Sequence, residues 1–349
     1  MAWNAPSRER RVLRAGHSSI AVTLPKPWAE AMNLRPGDLI VFDQNDDGTL
    51  YLKPAPVPGA TPEGAPFLVQ ARSFDTPGVL HRLIVGAYRV GHDAIEIRTD
   101  QPLSAERTEE LLNAARGLLG VSVVAQEPNR VVLQNFIDPS KYGLPQLVQR
   151  MKMILVAFLE EMEEVVRRRA KGRRPTNLEE EANKVLALLV RQLFLASRDW
   201  ALARRIGSPD PRQLLEWRVA VHALEELSAL FAEALASLVE APAAPKNDPS
   251  AAELAAFLPE LKGQLKNVVD SLMHPSLDHA CEVYHAGGAL DTVSPLPKGV
   301  TARGPLPRAP YRPATALLRR GAACLGLLAE LAIDRAVASG TETVMVEAA

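Results

Sequence analysis

The stretch PAPVPGATPEGAP, residues 54–66, limits what this chain can fold into more than any other feature. Five prolines and two glycines in thirteen residues suit a semi-rigid spacer, not a helix or a strand interior. The spacer, placed at 55–66, separates a leading segment of 54 residues from everything after it. A chain of 349 residues is also long enough for two or three domains. The leading segment reads as short strands and turns around one helix. RRVLRA and IAVTL are strands, and PKPWAEAMNL is a helix opened by a proline at a tolerated position. RPGD is a turn, LIVFDQ a strand, NDDG a hairpin turn and TLYLKP the return strand. Strands this short cannot close a core within one chain, whereas a dimer that shares hairpins can.

Composition bears mainly on the remainder. Apolar residues make up 47% and aromatics only 5%, so the core is built of Ala, Leu and Val, which favours helix bundles over a sandwich. The two cysteines, Cys281 and Cys324, are too few for a disulfide framework and point to a reducing cytoplasm. No apolar run reaches the length of a membrane span: the candidate VLALLVRQLFLA is broken by Arg191 and Gln192. The arginine-rich N-terminus has no apolar secretory region.

Residues 67–137 change rhythm. FLVQARS is a strand, PGVLHRLIVGAYRVG an amphipathic helix and DAIEIRT an alternating strand. SAERTEELLNAARGLLG is a helix capped by Ser104 and stopped at Gly120. VSVVAQE and RVVLQNF are strands meeting at Pro128-Asn129. The order βαβαββ predicts a small α+β domain with its helices on one sheet face. From 138 to 349 the pattern is helical, with helices expected over 144–170, 178–206, 211–239, 250–272, 276–286 and 314–338. These suit an antiparallel bundle of two three-helix units with a proline-rich, basic insertion near 291–313. The fold class is therefore multi-domain α+β.

With a formal net charge of −1, only local charge can select a partner. Residues 1–35 hold six basic side chains (Arg8, Arg10, Arg11, Arg14, Lys26 and Arg35) against two acidic ones, a net +4. In a nearly neutral protein, and doubled in a dimer, that asymmetry favours a polyanion, although charges also serve to blunt exposed strand edges. Other clusters have plain structural explanations. HPSLDHACEVYH gathers His274, Asp278, His279, Cys281, Glu282 and His285, but matches no zinc spacing and is interrupted by Pro275. EEMEEVVRRRAKGRR is a helix end with favourable i,i+4 charge order. In DTPGVLHRL, Asp75, Pro77 and Gly78 open a helix as in ligand-sensing modules, and also as any strand-to-helix turn does. No nucleophile–base set, Walker loop, HExxH or GxSxG is present, so neither an enzyme nor a cofactor is expected.

The motifs RRVLRAG, Gly16-His17-Ser18, Val22-Thr23-Leu24-Pro25-Lys26 and Leu34-Arg35-Pro36-Gly37-Asp38 resemble the SpoVT/AbrB swapped-hairpin family over residues 8–54. The resemblance implies a dimeric β-barrel of interleaved hairpins whose basic strand and turn face DNA. Arg8, Arg10, Arg11, Arg14, His17, Ser18 and Lys26 would form that surface. His17 stands where asparagine is usual; its imidazole still offers a donor and an acceptor.

Residues 67–340 resemble the longer PhoU-type phosphate uptake regulators in LIVGAYRVGHDAIEI, ARGLLGVSVV, ALLVRQL and AELAIDRAV, in that order. Such bundles often bind metal through Glu-x-x-x-Asp, because carboxylates at i and i+4 share a helix face. Here Glu179 is followed by Asn183 and Glu225 by Ala229, while Leu327 stands where an aspartate would fall, leaving Glu330. No metal site is therefore expected. Together the resemblances imply a DNA-binding homodimer that regulates phosphate uptake through its PhoU-like bundle. One alternative is a modulator of a phosphate ABC transporter or sensor kinase in which the hairpins only dimerise. A weaker one is an antitoxin-like protein.

Overall fold

In a computed structural model the chain forms two compact units, Met1–Glu63 and Gly64–Ala349. The structure describes residues 10–16, 19–44, 48, 50–55, 66–71, 76, 78–168, 177–241, 249–292 and 311–339. The 55–66 spacer and the 291–313 insertion lie almost wholly outside them.

The first unit contains two separate antiparallel hairpins. β1 (Leu13–Ala15) pairs with β2 (Ser19–Ala21), and β3 (Ile40–Gln44) pairs with β4 (Leu50–Pro54). Between them lies α1 (Lys26–Ala31), with Pro27 in its first turn. The RPGD turn closes on itself: the Arg35 N–H donates to Asp38 Oδ2 at 2.7 Å, the Asp38 N–H returns to the Arg35 carbonyl at 3.0 Å, and Gly37 takes φ +102°. Glycine suits that left-handed backbone because it has no Cβ. None of the described side chains of this unit is buried. In the register of the second hairpin, Phe42 faces Leu52 and both share a side with Ile40 and Leu50. Phe42 is 60% exposed and Leu50 58%.

The second unit begins with the expected βαβαββ run: β5 (Phe67–Ala71), α2 (Val79–Arg89), β6 (Ala94–Thr99), α3 (Ala105–Arg116), β7 (Val121–Glu127) and β8 (Arg130–Asn135). The sheet order is β5-β6-β8-β7, with β5 and β6 parallel and the other pairs antiparallel. Leu80, Ile84, Ala87 and Tyr88 recur at helical spacing on α2 and face Val69, Ile95, Ile97, Val131 and Leu133 of the sheet in one buried cluster. Ser104 caps α3 by accepting the Arg107 N–H at 3.2 Å. The helix ends three residues before the expected Gly120, at a Gly117 C-cap; Gly120 instead turns the chain into β7 with φ +74°. On the opposite sheet face, Glu96 accepts from Arg98 Nε at 2.7 Å and Arg130 Nε at 2.6 Å. These hydrogen bonds, Arg98's first, hold its carboxyl below the usual glutamate range.

Helices follow: α4 (Leu144–Arg168), α5 (Leu178–Ala196), α6 (Trp200–Arg205), α7 (Pro211–Glu240), α8 (Pro249–Met273), α9 (Leu277–Thr292) and α10 (Arg312–Ser339). The helix expected over 178–206 is two. Asp199 Oδ1 accepts the N–H groups of Ala201 and Leu202 at 2.9 and 3.2 Å and starts α6 afresh. A carboxylate competing for backbone donors does what no proline or glycine in that stretch signals. The bundle does not divide into two three-helix units. α4 packs on α5, α7 and α8, and α10 packs on α7, α8 and α9, so the halves share helices. Where α10 crosses α7, a Cβ at Gly321 would lie 3.1 Å from the Phe231 ring. Apolar side chains from Val69 to Ala336 form one core spanning sheet and helices.

α5 runs through the middle of that core. Nine consecutive residues, Val185 to Leu193, are buried, including the two polar ones that interrupt the apolar run. Arg191, 2% exposed, reaches from α5 into the end of α2. Its Nη1 donates to the Tyr88 carbonyl at 2.8 Å and the His92 carbonyl at 2.9 Å, its Nη2 is bonded to Asp93, and its guanidinium lies 4.9 Å from the centre of the Tyr88 ring. A cation placed on the last carbonyls of a helix is favoured by the helix dipole. Burial works to lower the pKa of Arg191 and the Asp93 carboxylate opposes it. Burial also pushes the Tyr88 phenol up to about 12 despite the nearby guanidinium, and its hydroxyl donates to the Leu119 carbonyl at 3.0 Å. Gln192 Nε2 donates to the Pro139 and Tyr142 carbonyls, tying down the link between β8 and α4.

Candidate nucleic-acid interface and the cleft of the helical unit

In the first hairpin Leu13 pairs with Ala21, Arg14 with Ile20 and Ala15 with Ser19. Side chains directly opposite share a face, so Arg14 projects on the side of Ile20 and away from Leu13. Ile20 is 77% exposed. Arg10, Arg11 and Arg14 are all exposed on or next to β1. Lys26 opens α1 fully in solvent, its Nζ 3.6 Å from Glu30 Oε1. An exposed i,i+4 pair of this kind contributes little and leaves the lysine available. Gly16, with φ +77°, begins the turn joining the two strands. Arg8, His17 and Ser18 lie outside the described residues. The structure thus places Arg14 on the first hairpin, Arg10 and Arg11 in the segment that leads into it, and Lys26 on the helix that follows it.

The degenerate carboxylate positions take part in something else. Glu179 and Asn183 are exposed on α5, and Leu327 is exposed on α10. Glu225 on α7 is held at 2.9 Å by Arg89 of α2. Among the described residues no three His, Cys, Asp or Glu side chains gather where a cation could be held. In the 274–285 cluster, His279 Nδ1 approaches Glu282 Oε2 only to 4.0 Å, and Cys281 is exposed on its own.

The Arg89–Glu225 pair stands in a cleft of about 740 Å³ between α2 and α3 on one side and α5 and α7 on the other. Arg82, Arg89 and Arg116 line one wall; Glu179, Glu180 and Glu225 line the other. His81 contributes from the edge of α2, and its backbone N–H donates to Glu110 at 3.1 Å. The sequence carries no periodic signal for this arrangement, because its members lie up to 144 positions apart (His81 to Glu225). The one hint was the series of arginines on α2 and at the end of α3.

Residues 13–59 match the model of a family described as antidote-toxin recognition MazE, bacterial antitoxin. No curated protein and no solved structure matches the chain. The match covers both hairpins and agrees with the swapped-hairpin resemblance of the N-terminal unit. It supports a transcription-regulator or antitoxin-like role for that unit. Among the described residues, no helix is long and apolar enough to cross a membrane.

Proposed function

We propose that the chain is a DNA-binding transcription regulator. Two copies join through the hairpins of residues 8–54 into one barrel, and the basic strand around Arg11 and Arg14 tracks the DNA backbone. The observation that carries this reading is the first unit itself: an exposed basic hairpin beside apolar side chains that one chain leaves uncovered. A second copy supplies cover for Phe42, Leu50 and Ile20 and doubles the local positive charge. The helical unit carries the signal. That the signal is phosphate status rests on the PhoU-type resemblance of residues 67–340.

The test is a titration of the full chain against its own upstream region at several salt concentrations. Each phosphate neutralised contributes about 0.9 to the slope of log affinity against log salt. Arg11→Ala is expected to lower the slope by roughly one unit per engaged chain and to weaken all sequences alike. Arg14→Ala, nearest the turn, is expected to relax sequence preference at one position, by about 1–3 kcal/mol. A double variant that binds as the parent does would leave the basic strand as a blunted edge.

The family match favours a second reading, in which the chain is an antitoxin. The N-terminal unit then pairs and binds its own promoter while another part of the chain neutralises a toxin. Deleting the gene separates the two. A regulator's loss changes transcription, whereas an antitoxin's loss arrests growth until the neighbouring toxin gene is also removed.

A further inference from the structure

We infer that the cleft between α2–α3 and α5–α7 is a binding site for a small amino-dicarboxylate or phosphorylated amino acid, a molecule with two anionic groups and one ammonium. The inference is independent of what the N-terminal unit binds.

Some charges in the cleft are already satisfied. Glu225 is paired with Arg89, and Glu180 Oε1 lies 2.6 Å from Lys184. Among the described residues Arg82 has no carboxylate partner, Arg116 bonds only the Asn113 side-chain amide at 3.1 Å, and Glu179 has no cation. Two guanidinium groups and one carboxylate therefore remain to be matched. Arg89 lines the same wall and is already engaged, its Nη2 donating to Glu225 at 2.9 Å.

Simpler ligands fit less well. A bare cation entering beside Glu179 and Glu180 meets three arginines. A plain dianion satisfies Arg82 and Arg116 but faces the uncompensated Glu179. A molecule with two negative groups and one positive group matches all three. Guanidinium binds carboxylate and phosphate equally well in geometry, by paired N–H donors, so both classes share this chemistry. Clefts of this volume at the junction of two layers are the usual size and place for small-molecule sites, and the space left over accommodates bridging water.

The experiment is calorimetric titration of the full-length chain with L-glutamate, L-aspartate and O-phospho-L-serine, with glutarate, succinate and 3-phosphoglycerate as the respective controls lacking the ammonium. Saturable binding of at least one of the three is expected, and which one binds decides between carboxylate and phosphate. Arg82→Gln, Arg116→Gln and Glu179→Gln are each expected to weaken it by about tenfold or more, as is removal of the ammonium from the ligand. All three positions are exposed, so the variants should fold as the parent does, which circular dichroism verifies. The inference is overturned if none of the three binds. It also falls if an Arg82→Gln, Arg116→Gln double variant binds unchanged, or if glutarate, succinate or 3-phosphoglycerate binds as tightly as its amino counterpart.

Discussion

Residues 10–55 and residues 66–339 handle apolar side chains in opposite ways. In the first unit no described side chain is buried, and Ile20 and Phe42 stand in solvent on their hairpins. In the second a single core runs from the sheet to the last helix, and even an arginine is enclosed in it. Arginines mark the contrast best. Arg14 is exposed on a two-stranded hairpin, while Arg191 is bound by two carbonyls, a carboxylate and an aromatic face. The second unit thus buries a large apolar core within one chain, and the polar contacts of Arg191 are enclosed in it. Among its described residues the first has hydrogen-bonded strands and no buried side chain, and isolated two-stranded hairpins are marginal in water.

The sharpest way to break this comparison is at Arg191. Arg191→Ala leaves the Tyr88 and His92 carbonyls without their donor and empties the space of a 2% exposed side chain, and truncating a buried side chain of this size typically costs about 2–5 kcal/mol. The melting temperature of the second unit should fall by many degrees while the assembly state of the full chain stays as it was. A variant that melts with the parent would show that the sheet layer is held by apolar packing alone.

The first unit is tested at Phe42. Phe42→Asp places a charge on the apolar side of the second hairpin. If that side is covered by another copy, the substitution should weaken the dimer by about 2–3 kcal/mol, roughly a hundredfold. Light scattering on the full chain reads the change. The melting of residues 64–349 should be untouched, and a variant that remains dimeric at low concentration would remove the hairpins from the interface.

The smallest effect expected is at His92, which stacks on Phe67 with ring centres 4.7 Å apart beside the Arg191 contact. Burial first, then the charges of Arg198 and Arg191, lowers its pKa from the ordinary 6.5, and Asp93 opposes them. The unfolded chain therefore takes up this proton before the folded one does. Stability is unaffected well above pH 6.5 and falls as the pH drops below it, until the folded imidazole is protonated too. His92→Gln should flatten thermal stability between about pH 7 and 5, since no imidazole then titrates. An unchanged slope would assign the pH dependence to other groups.

Where local pattern carries the information, the sequence was a good guide. The amphipathic pattern of PGVLHRLIVGAYRVG placed α2, Ser104 marked the start of α3, and Pro128-Asn129 lies between the last two strands. The basic hairpin and the RPGD turn were equally plain, since charge and turn chemistry act within a few residues. The break at Asp199 was not legible, because a capping carboxylate in mid-pattern looks like any solvated acid. Nor was the cleft, whose charges come from α2, α3, α5 and α7 and meet only after packing.

Arg191 and Gln192 show both sides of this at once. In the sequence they could be read as what keeps VLALLVRQLFLA from resembling a membrane span, because charge in an apolar helix is costly. Their partners on Tyr88, His92, Asp93, Pro139 and Tyr142 are 50 to 103 positions away. Residue types along a chain settle which groups cannot be buried alone, since desolvation is a property of the group. Which distant carbonyl or carboxylate offsets that cost is set when helices and sheet pack, because only packing brings the partner within hydrogen-bond reach.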